Sequence, residues 1–174
     1  MITEKRILEC FKHLFTPANQ DEIKIGPGDD AAVIAANHFD LVHSVDIAHE
    51  DVHFPKDSLP EDIAYRATAI ALSDLAAMGA YPKFFSIGLM ADEVEISWYE
   101  QFANGLQKIM KEYNILLIGG DITKGSKTIC VNVFGYPFNE VLKRSTAKIG
   151  DKVFITGQLC LLYTSDAADD DRSV

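Results

Sequence analysis

The chain has little of what nucleic-acid binding, membrane insertion or a disulfide framework requires. It sets 16 Lys and Arg against 26 Asp and Glu, for a formal charge of −10 over 174 residues. No basic stretch interrupts that acidity, so a phosphate-backbone partner is excluded. Cysteine is scarce: Cys10, Cys130 and Cys160 are widely spaced, match no zinc pattern and are expected to be reduced. No apolar run is long enough to span a bilayer, and Met1 to Arg6 lead into an amphipathic pattern rather than an apolar signal segment. A cytoplasmic protein without membrane partners is the expectation. Also missing are the Gly-x-x-x-x-Gly-Lys-Ser/Thr phosphate loop, the His-Arg-Asp and Asp-Phe-Gly pair of protein kinases, and EF-hand spacing. Common nucleotide folds and calcium sensing are therefore disfavoured.

What is present is a 48% hydrophobic composition, enough for one domain with a real core. Ile7, Leu8, Phe11, Leu14 and Phe15 recur at helical spacing and predict an opening amphipathic helix. Ala31 to Ile34 and Leu41 to Val45 read as strands around a turn at Asn37 to Asp40. Ser58-Leu59-Pro60-Glu61 has the form of a capping box with proline in the first turn, and Gly79 followed by Pro82 supplies a stop. Phe84 to Met90 is strand-like. Ser97 to Glu100 repeats the capping pattern and opens a helix with the apolar stripe Tyr99, Phe102, Leu106, Ile109, Met110 and Tyr113. Ile115 to Ile118, Ile129 to Phe134 and Lys152 to Thr156 complete the predicted strands. From Cys160 the pattern decays into a polar end, so residues 159–174 read as a non-native or disordered tail.

One acid is out of place in this pattern. Asp74 lies within Ala69 to Met78, on the helical face of Ala67, Ile70, Ala71, Ala77 and Met78, with no Lys or Arg three or four residues away. An unpaired buried carboxylate costs several kcal/mol or takes up a proton. A divalent cation is the economical compensation. Asp29 and Asp30, Asp46, and Asp121 stand similarly at the ends of apolar segments. Taken singly, Asp29 and Asp30 read equally well as turn caps after Gly26-Pro27-Gly28, and Asp121 as a turn acid after a double glycine.

Gly28-Asp29-Asp30-Ala31-Ala32-Val33, Ser44-Val45-Asp46, Val52-His53-Phe54, Leu72 to Ala80, Leu117-Ile118-Gly119-Gly120-Asp121 and Lys143-Arg144-Ser145 follow in the order and approximate spacing of the thiamine-monophosphate kinase family. Residues 4–158 resemble its N-terminal domain. The resemblance implies an α+β fold, a mixed sheet packed with helices, shared with the aminoimidazole ribonucleotide synthetase superfamily. It further implies an ATP- and magnesium-binding domain over 1–158, with the family's C-terminal domain absent. The activity implied is transfer of the γ-phosphoryl of ATP to thiamine monophosphate. Magnesium ligands would be Asp30, Ser44, the backbone of Val45, Asp46, Asp74 and Asp121; ATP contacts would be Gly120, Asp121 and Arg144; His53 would touch thiamine monophosphate.

The chain departs from the family at Val45 and Ile122, where threonine is common, and at Asp51, where the family has glycine. A homodimer is expected, because the superfamily pairs its sheets between subunits. The alternatives are a selenophosphate synthetase-like or hydrogenase maturation factor-like enzyme, or a non-catalytic divalent-metal-binding dimerisation module.

Overall fold

A computed structural model describes residues 23–25, 29–36, 39–92 and 95–155. The expected opening helix and the tail from 159 lie outside the described residues. The chain divides into two units at Arg144. The first contains β1 (Ile23–Ile25), β2 (Ala32–Ala36), β3 (Phe39–His49), α1 (Pro60–Ala77), β4 (Ala80–Met90), α2 (Ile96–Tyr113), β5 (Leu116–Thr123) and β6 (Thr128–Pro137). The six strands form a mixed sheet in the order β1-β2-β3-β6-β4-β5. Neighbours are antiparallel except β4 and β5, which run parallel because α2 carries the chain back between them.

Alternation along the strands divides the sheet into two faces. Val42 and Ala48 of β3, Ile129, Val131 and Val133 of β6, and Phe85 and Leu89 of β4 are buried on one of them. Onto this face packs α1, which touches β3, β4 and β6, while α2 packs on α1. Small residues decide how closely the layers meet. Ala64, Ala67 and Ala71 are fully or nearly fully buried, and a Cβ at Gly105 of α2 would lie 2.1 Å from the Glu61 carbonyl oxygen of α1. Only glycine permits that helix crossing. Among the described residues no helix packs on the opposite face, where Ile34, Phe39, Val45, Ile47, Met90 and Leu116 are exposed.

Several local expectations change in the folded chain. Leu59, not Ser58, is the N-cap of α1, without a side-chain cap bond, and Pro60 holds the first turn. Likewise Glu95 precedes α2, so Ser97 lies inside the helix rather than capping it. Fixed proline φ and burial of the helix face suffice to start α1 without a capping hydroxyl. The strand expected from Phe84 begins earlier, at Ala80, and takes Pro82 at a register irregularity opposite β6, where a missing N–H is tolerated. Most strands run longer than their apolar cores, because the ladder continues through polar residues once a neighbour pairs with them. The strand expected at Lys152 to Thr156 is absent from residues 151–155, where Val153 and Phe154 are exposed and the backbone has no regular structure. It finds no partner strand among the described residues, and an unpaired strand has no ladder to hold it. In this second unit the chain turns at Lys148–Asp151, where the Lys148 N–H donates to the Asp151 carboxylate at 2.8 Å.

Candidate functional site

The placement of Asp74 has a local cause. α1 lies across β3, so the last turns of the helix face the middle of the strand, and Ser44 of β3 is turned toward them, buried, on the same side as Val42. The Ser44 hydroxyl donates to Asp74 Oδ2 at 2.6 Å and lies 3.4 Å from the Asp30 carbonyl oxygen. Desolvation, with the charges of Asp46 and Asp30 in support, pushes the Asp74 carboxyl above its ordinary value, while the Ser44 bond and Arg144 pull the other way. The compensation that a lone helical acid requires is therefore only partial.

Asp30 follows the opposite course. Arg144 Nε donates to its Oδ2 at 3.1 Å and Nη2 to its Oδ1, while the Arg144 main-chain N–H donates to Asp29 Oδ1 at 3.0 Å. The guanidinium bonds hold the Asp30 carboxyl below its ordinary value against a desolvation that raises it. Asp46, between Ser44 and Ala48 along β3, accepts the Ile47 N–H at 2.9 Å. Asp29, Asp30, Ala31, Ala32, His43, Ser44 and Val45 together line a cleft of about 240 Å³.

The other predicted residues stand apart from this cluster. Asp121 is exposed on the edge strand β5, paired with Gly88, three strands from β3. At about 4.8 Å per strand that is roughly 14 Å across the sheet. A magnesium–oxygen bond is about 2.1 Å, so no single ion joins Asp121 to Asp30 or Asp74 in this arrangement. Gly120 lies opposite Ile87, and a Cβ there would be 2.2 Å from the Ile87 carbonyl oxygen. Its glycine is thus demanded by strand packing, whatever else it contacts. His53 is exposed in the turn after β3, where its Nδ1 accepts the His49 N–H at 3.0 Å and its own N–H donates to the His49 carbonyl at 2.8 Å. Asp51 occupies this turn at φ 62, so the turn that glycine serves in the family is made here by an aspartate in the left-handed region.

Residues 28–136 match the family described as AIR synthase related protein, N-terminal domain. The chain belongs to that family. Within it, the chain is 38% identical over 141 residues to the thiamine-monophosphate kinase of Haemophilus influenzae, covering 80% of this chain and 43% of that protein. It is 40% identical over 159 residues to the thiamine-monophosphate kinase of Buchnera aphidicola subsp. Acyrthosiphon pisum, covering 90% and 49% respectively. The solved structure "AaThiL complexed with AMPPCP and TMP" matches with a TM-score of 0.73 at 29% identity, over 85% of this chain and 46% of that one. The chain spans about half the length of the curated relatives it matches. The α+β mixed sheet expected for this AIR synthase related domain is the one observed.

One residue of the cleft carried no signal in the sequence. His43 is half-buried, stacks on Phe134 at 4.6 Å between ring centroids, and is held below its ordinary pKa by desolvation, against a hydrogen bond with Asn132. A lone histidine in an apolar strand looks like packing until its neighbours are known. Asp29 stands beside Asp30 among the acids marked in the sequence but is given no ligand role by the family resemblance, and its bond to the Arg144 backbone spans 115 residues of chain. Among the described residues no three His, Cys, Asp or Glu side chains are already gathered around a common metal position. The donor chemistry nevertheless suits magnesium: carboxylate and hydroxyl oxygens, with the ionised Asp74 disfavoured by desolvation and, to a lesser extent, by neighbouring acids.

Proposed function

We propose that this chain supplies the ATP- and magnesium-binding half of an enzyme that transfers the γ-phosphoryl of ATP directly to thiamine monophosphate, giving thiamine diphosphate. The observation that carries the reading is the cluster of Asp30, Ser44 and Asp74 with Arg144, of which Asp30 and Ser44 line a cleft. It sits on a fold like that of AaThiL, whose structure contains AMPPCP, a methylene analogue of ATP, and TMP. Asp30, Asp46 and Asp74, with Ser44 and the Val45 carbonyl, would hold magnesium beside the cleft, and Asp121 would hold a separate ion across the sheet. Magnesium, when bound, would neutralise the oxygens of the transferring phosphoryl group.

The chain's own residues account for the rest. Arg144 offers a planar fork suited to two phosphate oxygens. Ser44 orients the Asp74 carboxylate by its hydroxyl. His53, with Nδ1 occupied by the His49 N–H, is left with Nε2–H to donate to the substrate phosphate. Positioning and charge neutralisation are most of what phosphoryl transfer asks of a protein. The other half of the site would come from a second domain, in keeping with the length of the relatives, and residues 159–174 would take no part. The compartment would be the cytoplasm, where ATP is available.

We assign the sheet face on which no described helix packs to a second copy of the chain. Val45, Ile47, Met90 and Leu116 form an apolar surface there that a monomer would leave in water. Sedimentation showing a stable monomer at micromolar concentration would remove that assignment. For the site itself, calorimetry with AMPPCP should give a binding heat that requires Mg²⁺. AMPPCP binding indifferent to Mg²⁺, or absent with it, would sink the functional reading.

A further inference from the structure

Both carboxylate oxygens of Asp30 are engaged by one guanidinium, Nε to Oδ2 at 3.1 Å and Nη2 to Oδ1. The pair is accessible: the Arg144 side chain is 64% exposed and that of Asp30 25%. Exposed ion pairs are held weakly and exchange readily. The backbone of Arg144 is anchored independently, its N–H donating to Asp29 Oδ1 at 3.0 Å. The side chain can therefore leave Asp30 while its root stays on the neighbouring residue. A magnesium ion demands near-ideal octahedral oxygen geometry, and the Asp30 oxygens it would use are already engaged by a guanidinium of the same charge sign, which competes for their lone pairs and repels the incoming ion.

We propose that Arg144 is a placeholder cation. It neutralises Asp30 before metal arrives, gives up that carboxylate when magnesium is bound, and is then free to fork onto a phosphate group from the same anchored backbone. One residue thus serves in turn as counter-ion for the empty acid cluster and as positioning residue for the nucleotide. The inference rests on the magnesium and ATP site proposed above, and it adds an order: metal and Arg144 compete for Asp30, whereas metal and nucleotide phosphate recruit Arg144 together.

Competition makes the effects of one substitution point in opposite directions. Titrating the chain with Mg²⁺ alone, Arg144→Ala should bind the ion about fivefold more tightly than wild type, the gain from removing an exposed competing ion pair. With Mg²⁺ saturating, the same variant should bind AMPPCP about tenfold more weakly, having lost a bidentate phosphate contact. Arg144→Lys, which keeps the charge without the fork, should fall between the two in both titrations and guards against a folding defect in the alanine variant. Equal or weaker Mg²⁺ affinity in Arg144→Ala, when wild type binds the ion, overturns the exchange and leaves the site reading standing. No Mg²⁺ uptake by wild type or either variant overturns both.

Discussion

Asp74→Asn separates a carboxylate kept for a ligand from one kept for the fold. In the metal-free chain, Asp74 is half-buried and its ionised form is opposed by desolvation and by Asp46 and Asp30. Removing the charge relieves that opposition. With solvent screening the gain is on the order of 1 kcal/mol rather than the several expected for full burial. The amide oxygen still accepts the Ser44 hydroxyl, but a neutral acceptor weakens that bond by roughly 0.5–1 kcal/mol. The net expectation is a melting temperature equal to wild type or up to about 3 °C higher.

The pH dependence has a definite sign. A carboxyl whose folded pKa is raised destabilises the fold where it is ionised, and that cost fades as pH falls through the folded value toward the ordinary 3.8. Any advantage of the asparagine variant should accordingly be present at pH 7 and vanish below about pH 4. With Mg²⁺ and AMPPCP at a hundred times the dissociation constant, wild type should gain about 2.7 kcal/mol, and the variant should lose most of that gain. Thermal melts of both proteins, with and without ligands, at pH 4 and 7, provide the comparison. An equal ligand-induced shift in the variant would refute the metal role, and an asparagine variant several degrees less stable at pH 7 would refute the electrostatic account.

Gly105→Ala should destabilise the fold by roughly 1–2 kcal/mol, because about 1 kcal/mol of helix propensity only partly offsets overpacking against the Glu61 carbonyl; urea unfolding measures it, and an unchanged midpoint would show that the helices can separate freely. Asp51 is held at φ 62, so Asp51→Gly should be at least as stable as wild type and Asp51→Val less stable by about 1 kcal/mol or more. Coincident melting curves for these two variants would mean the turn is not maintained. Deleting residues 160–174 should leave the melting temperature nearly unchanged, and a loss of many degrees would assign that segment to the fold.

Much of the layer structure was legible because period 2 and period 3.6 patterns report burial directly. Phe102, Leu106 and Ile109 of the α2 stripe are buried as their spacing predicts, and α1 runs from Pro60 to Ala77 between its proline and glycine signals. The capping pattern misleads at Ser58 and Ser97, since a serine three residues before an acid has no effect if the chain enters the helix elsewhere. The strand at Lys152 failed for a related reason: a strand is a property of two segments, and its own residues cannot supply the partner.

For the site, the sequence by itself determined that Asp74 was an anomaly, because helix geometry fixes its neighbours within one turn and none of them is a cation. Family order added Asp30, Ser44 and Arg144. That the Ser44 hydroxyl reaches Asp74 across 30 residues, and that Arg144 closes on Asp30 across 114, was decided only in three dimensions. The same is true of the wide separation of Asp121 from that cluster, which follows from strand order rather than spacing. Local periodicity arises from each residue's own backbone. Which charges meet depends on how α1 is laid across β3 and where the chain returns beside Asp29, and those are set by burial of residues that carry no charge at all.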